Sequence, residues 1–182
     1  GIQQRYLQIP HSLPERVSVL ASQIVAGAPT TYDKAVAIET YLRGFEYTVS
    51  AQNVPHDADI VDYFLFESMA GYSDYFSSAM AMMLRTQGIP VRLVLGFGPG
   101  KADPGEQGFL VRDLDSHSWP EVYFPEIGWI PFEPTPIYDT RIRGRPESSF
   151  FGDSFLVLSN QTEETDLSSG LLNPDGETKL ID

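Results

Sequence analysis

The stretch Gly71-Tyr72-Ser73-Asp74-Tyr75-Phe76-Ser77-Ser78-Ala79-Met80-Ala81-Met82-Met83-Leu84-Arg85, closed by Gly88-Ile89-Pro90, decides the fold. Tyr75, Phe76, Ala79, Met80, Met83 and Leu84 recur at helical spacing, and Ala81 and Met82 carry apolar surface around most of the rest. A helix that is apolar nearly all round is buried. Gly88 suits the position just past a helix end, and Pro90 closes the segment. The pattern predicts a central buried helix that begins at Ser73.

Downstream of it the chain reads as β. Val91, Leu93, Leu95 and Phe97 alternate as a strand with one inward face does. A Gly/Pro-rich loop spans 98–108, then Phe109-Leu110-Val111-Arg112 follows. His117 to Phe124 and Trp129 to Phe132 make two further strands around a turn at Pro125-Glu126-Ile127-Gly128. Upstream, Ser12-Leu13-Pro14-Glu15 reads as a capping box opening a helix with Val17, Leu20, Ala21, Ile24 and Val25 on one face. A second helix starts near Thr31, with Ala35, Ile38 and Leu42 inward and Asp33, Lys34, Glu39 and Arg43 on its polar side. Asp59-Ile60-Val61-Asp62 looks like another helix start. Helices first and antiparallel strands after argue for an α+β fold rather than βαβ units.

The chain has 182 residues, enough for one domain. A net charge of −13, from 25 acidic and 12 basic residues, repels phosphate backbones and argues against nucleic acid as a partner. No apolar run reaches the roughly 18 residues that would span a bilayer, and the opening GIQQRYLQIP lacks the pattern of a secretion signal. The chain therefore reads as soluble, or as a soluble piece of something longer. With no cysteine, thiol chemistry, disulfides and zinc-thiolate sites are excluded. His11, His56 and His117 have no metal-binding spacing, so no metal and no cofactor is expected. From about Asn160 the chain is polar, and it reads as a mobile linker or tail.

Three positions together suggest chemistry: Ser73 at the start of the buried helix, His117 on a strand and Glu133 on the next. A nucleophile at a helix N-terminus lies beside unpaired N–H groups and the positive end of the dipole. A histidine in reach takes its proton, and a carboxylate behind the imidazole fixes its tautomer. Taken singly, each residue has a bland explanation. Ser73 reads as an N-cap, His117 as a structural strand residue, and Glu133 as a solvated residue before a proline. If Glu126 and Ile127 centre a tight turn, pairing sets Glu133 opposite Trp119 or Pro120, so contact with His117 needs a diagonal neighbour or a bulge.

The string from Gly71 to Arg85 with Gly88-Ile89-Pro90-Val91-Arg92 resembles the nucleophile helix of bacterial transglutaminase-like domains, G-Y-C-x-Y-[FY]-A-[ST]-A followed by M-L-R-x-x-G-I-P-[AV]-R. Ser116-His117-Ser118-Trp119-Pro120-Glu121-Val122-Tyr123 resembles their histidine strand, A-H-A-W-x-E-V-Y. Gly128-Trp129-Ile130-Pro131-Phe132-Glu133-Pro134-Thr135-Pro136 resembles their carboxylate strand, G-W-x-x-[FV]-[DE]-P-T-P. The likeness runs from about Tyr6 to Pro136, and it is closest to the subgroup found in multi-spanning bacterial membrane proteins. It implies a papain-like α+β core in residues 1–140, with 141–182 as an extension and linker. It implies catalytic residues Ser73, His117 and Glu133, and a protein or peptide acyl donor with an amine or water as acceptor. It also implies an extracytoplasmic location, with tethering to membrane segments outside this chain.

Ser73 stands where the family has its cysteine. A thiol near pKa 8.5 is readily held as a thiolate beside a histidine and a helix dipole, whereas a serine hydroxyl is not. The expected activity is therefore acyl transfer or amide hydrolysis, lost or strongly impaired with serine. The alternatives are a non-catalytic module that binds peptide or cell-wall material and, less so, a serine hydrolase using Ser73. A natural pseudoenzyme and a deliberate cysteine-to-serine exchange both explain Ser73. Ser77, Ser116 and Ser118, where the family usually has alanine, favour the natural origin.

Overall fold

In the computed structural model, residues 1–50, 53–103, 105 and 108–140 are described. The expectations for 141–182, including the mobile tail, lie outside them. The element order is α1 (Ile2–Tyr6), α2 (Glu15–Ile24), α3 (Thr31–Leu42), β1 (Glu46–Tyr47), α4 (Ile60–Tyr63), β2 (Ala70–Gly71), α5 (Ser73–Thr86), β3 (Val91–Phe97), β4 (Lys101–Asp103), β5 (Gly108–Leu110), β6 (Ser116–Phe124) and β7 (Gly128–Pro131). A π-helical turn, Phe64–Ser68, continues α4, and a 3₁₀ turn, Asp113–Asp115, precedes β6.

The buried helix is α5, and the fold is built around it. Tyr75, Phe76, Ala79, Met80, Ala81, Met83 and Leu84 are all buried. One side packs on α2, α3 and α4, and another on β6 and β3. Gly88 follows the helix with φ +75°, the left-handed conformation that glycine adopts without strain. Arg85 ties the exit down. Its Nε and Nη2 donate to the Val91 carbonyl at 3.2 and 2.8 Å, and its Nη1 donates to the Gln8 carbonyl at 2.8 Å. Burial lowers the pKa of this guanidinium from its ordinary value.

The antiparallel sheet has the order β3-β6-β7, so the α+β expectation holds. The inward face differs from the one expected. Only Val91 of the β3 alternation is buried, while Leu93, Leu95 and Phe97 are 42%, 79% and 56% exposed. The helix lies along β6, whose Ser118, Pro120, Val122 and Phe124 are buried, and beyond Val91 it leaves the edge strand uncovered. The loop before β6 is also more ordered than its composition suggests, since β4 and β5 pair as a hairpin with Lys101 opposite Leu110.

Two of the five helix starts, those of α3 and α4, are capped by a local side chain. Thr30 and Asp33 form a reciprocal capping box on α3. Asp59 caps α4 by accepting from the Val61 and Asp62 N–H groups at 2.9 and 3.2 Å. The box expected at Ser12 is absent. Pro14 holds the N-cap of α2 with no side-chain cap, and the Ser12 hydroxyl donates to Asp59 at 3.2 Å instead. A partner across the fold has displaced a local one.

Candidate active site

Ser73 is the first residue of α5 and 7% exposed. The N-cap is Tyr72, not Ser73, and no side chain caps this 14-residue helix. The first-turn N–H groups thus have no side-chain cap, though that of Tyr75 donates to the Tyr72 carbonyl at 2.9 Å, and such a helix start suits an anion or a developing oxyanion. Gly71 is needed just before this start. A Cβ there would lie 2.8 Å from Cγ of the buried Tyr75.

His117 is brought to Glu133. Its Nε2 and Glu133 Oε2 are 2.6 Å apart, with the two side chains only 5% and 12% exposed. A carboxylate only accepts, so Nε2 carries the proton and Nδ1 of a neutral imidazole keeps its lone pair. That Nδ1 is buried without a partner among the described residues. The ring stacks on Tyr138 at 3.9 Å between centroids and on Trp119 at 5.7 Å. Trp119 in turn lies over Gly96, where a Cβ would approach its ring to 3.0 Å. Burial, and then the nearby Tyr47, Glu133 and Asp115, push the Tyr138 phenol above its ordinary pKa, so it stays neutral against the imidazole.

The hairpin register explains how Glu133 reaches the histidine. Phe124 pairs with Gly128 and Glu121 with Pro131, around a turn with Glu126 at φ +69°. Phe132 continues the pairing by donating to the Pro120 carbonyl at 2.9 Å. The next position, Glu133, therefore falls opposite Trp119, and its long side chain spans the diagonal to His117. As β7 ends, helix α3 takes hold of the chain. Glu39 Oε1 accepts the Glu133 N–H at 2.7 Å, and Arg43 Nη1 donates to the Glu133 carbonyl at 2.8 Å. Arg43 also holds the carbonyls of Thr135, Pro136 and Tyr138 at 2.9, 3.2 and 2.9 Å. Glu133 Oε1 accepts from the Thr135 N–H at 3.0 Å, which aims the other oxygen at His117.

Ser73 and His117 are linked through their neighbours. Ser118 donates to Asp74 Oδ1 at 2.6 Å, and its Oγ is 2.9 Å from Ser77 Oγ. These bonds fasten the first turn of α5 to the start of β6. Among the described residues, no hydrogen bond joins the Ser73 hydroxyl to His117. Sequence reading missed Glu39, Arg43, Asp74, Ser118 and Tyr138. Glu39 and Arg43 carried only the signal of an i, i+4 charged pair, which is what a solvated face also shows. Among the described residues no group of acidic, histidine or cysteine side chains is placed to hold a metal.

A buried helix fastened at its start to the strand that carries a histidine–carboxylate pair defines a papain-like α+β fold. The chain belongs to the transglutaminase-like superfamily, whose family model matches residues 18–134. It is 46% identical over 138 residues to the uncharacterized protein YebA of Bacillus subtilis, covering 72% of this chain and 19% of that one. It is 33% identical over 153 residues to a protein-glutamine gamma-glutamyltransferase of Pseudomonas aeruginosa, covering 82% of this chain and 23% of that one. The chain thus spans about a fifth of the length of these relatives. The periplasmic domain of TgpA from Pseudomonas aeruginosa superposes with a TM-score of 0.67 at 31% identity, over 73% of this chain and 46% of that one. No helix among the described residues is long and apolar enough to cross a membrane.

Proposed function

We propose that residues 1–140 form an acyl-transfer domain with Ser73 in the nucleophile position, His117 as base and Glu133 as the group that orients it. The observation that carries this reading is the His117 geometry: Nε2 is held by Glu133 and Nδ1 is buried without a partner among the described residues. In the reaction the Ser73 oxygen attacks the carbonyl carbon of a glutamine carboxamide or peptide bond, and Nδ1 accepts its proton. First-turn N–H groups of α5 other than that of Tyr75, which donates to the Tyr72 carbonyl, stabilise the oxyanion. The imidazolium then protonates the leaving amine, and an amine or water releases the acyl group. With serine this cycle is severely slowed, because no resting thiolate exists.

The family and the activity named for the Pseudomonas aeruginosa relative support a protein or peptide acyl donor. The periplasmic setting of TgpA supports an extracytoplasmic domain tethered to membrane segments outside this chain. A second reading, a module that binds the same peptides without turnover, is favoured by the missing hydrogen bond between Ser73 and His117.

Ser73→Cys tests the first reading without needing a substrate. The thiol of this variant is the single cysteine in the chain. Activated by His117 and the helix start, it alkylates with iodoacetamide at pH 7 about tenfold faster than free cysteine, because a lowered pKa raises the thiolate fraction. His117→Ala in that background returns the rate to within about twofold of free cysteine. A Ser73→Cys variant whose thiol reacts no faster than free cysteine and ignores His117 leaves the binding reading.

A further inference from the structure

The residue that orients His117 does not hold itself in place. Glu133 lies just past the last paired position of β7, where the sheet no longer satisfies both of its backbone groups. Its N–H goes to Glu39 Oε1 at 2.7 Å and its carbonyl to Arg43 Nη1 at 2.8 Å, two side chains one turn apart at the end of α3. Glu39 is 3% exposed. Burying a carboxylate is costly unless it is hydrogen-bonded, and an apolar residue would serve helix packing better. Among the described residues, this buried acceptor holds the Glu133 N–H. With both backbone groups of Glu133 fixed, the side chain has only its own rotamers left. The Thr135 N–H, itself in the segment Arg43 grips, takes Oε1 and leaves Oε2 for His117.

We propose that Glu39 is a positioning residue of the site, acting through the Glu133 backbone to hold the His117 imidazole in the Nε2–H tautomer, with Nδ1 left unprotonated. The proposal rests on the acyl-transfer reading for its purpose, but its test does not depend on that reading.

The first measurement uses the chain with Ser73 unchanged. Nitrogen-15 NMR of His117 reports the tautomer directly: Nε2–H in the parent, a mixture of both tautomers in Glu39→Ala, and Nε2–H again in Glu39→Gln, which keeps an acceptor oxygen. The second uses the Ser73→Cys background and the pH profile of alkylation. Glu39→Ala moves the thiol's apparent pKa toward that of free cysteine and slows alkylation at pH 7 about fivefold, while Glu39→Gln stays within about twofold. In a Glu133→Ala background, Glu39→Ala adds no further shift, an outcome that a purely structural role does not give. Should Glu39→Ala fail to fold, Glu39→Asp replaces it, keeping the charge but withdrawing the acceptor by one methylene. An unchanged tautomer in folded Glu39→Ala or Glu39→Asp overturns the proposal. A thiol that is activated yet insensitive to Glu39 also overturns it while leaving the acyl-transfer reading intact. A thiol that is never activated, with a tautomer that does follow Glu39, does the reverse.

Discussion

Arg43→Ala is the perturbation with the largest effect expected away from the nucleophile. The guanidinium donates to four carbonyls, those of Glu133, Thr135, Pro136 and Tyr138, at 2.8 to 3.2 Å. Hydrogen bonds to a charged group contribute about 1.5–3 kcal/mol each, and a buried carbonyl left without a donor costs about 1–3 kcal/mol. The site is only partly buried, so water replaces some of the lost donors, and the sum is discounted to about 3–5 kcal/mol. For a domain of this size that lowers Tm by about 10 °C. Urea denaturation followed by tryptophan fluorescence is the assay, since Trp119 stacks on the same histidine that the segment serves. Arg43→Lys should recover less than half of the loss, because an ammonium lacks the planar fork that reaches four acceptors. A destabilisation below about 1 kcal/mol for Arg43→Ala would refute the reasoning, because it would mean that water satisfies the carbonyls equally well.

Two further outcomes concern the surroundings of the site. Ser118→Ala should cost about 1–2 kcal/mol by urea denaturation, and Ser77→Ala should cost clearly less in that background than alone; additive costs would mean that the two hydroxyls do not share a bond. The Tyr138 phenol has a folded pKa above its unfolded value of about 10, so its contribution to stability is present below that pH and is lost as pH rises through the folded value. Stability should therefore fall above about pH 10, and Tyr138→Phe should lessen the fall; the same pH slope in both proteins would rule Tyr138 out as a source.

How much of this is legible in the sequence depends on how local the cause is. The α5 helix is readable because burial on nearly every side leaves an apolar residue at nearly every position, and Gly88 marks its end. The capping of α3 and α4 follows from partners three residues apart or fewer. Which strand α5 lies along is decided by tertiary packing, and so the alternation of Leu93, Leu95 and Phe97 suggests the wrong environment. The clamp is the least legible feature. Glu39 and Glu133 are 94 positions apart, and a helix carrying Glu39 and Arg43 looks the same whether its charges meet water or a departing strand. The motif around Glu133 marks a carboxylate worth aiming, but nothing in it says what does the aiming.

Of the four serines that depart from the transglutaminase-like pattern in α5 and β6, Ser73, Ser77, Ser116 and Ser118, the three nearest the helix start do not form one group. Ser77 and Ser118, where the family usually has alanine, are 1% exposed each and lie 2.9 Å apart. Ser118's proton goes to Asp74, so the bond between the serines uses the Ser77 proton. Either serine alone would bury a hydroxyl with fewer partners, so the two exchanges make physical sense as a pair. Ser73 differs. Its hydroxyl has no hydrogen bond among the described residues, although it sits beside this saturated cluster. The histidine shows the same asymmetry, with Nε2 fully engaged by Glu133 and Nδ1 without a partner among the described residues. Thr135 Oγ1 is likewise buried without a partner among the described residues. The fold thus saturates the paired serines, yet leaves without a partner among the described residues the hydroxyl at the helix start and one nitrogen of an oriented imidazole, the pattern on which the acyl-transfer proposal rests. On that proposal, the residue at position 73 sets whether a thiolate or only a hydroxyl meets the imidazole.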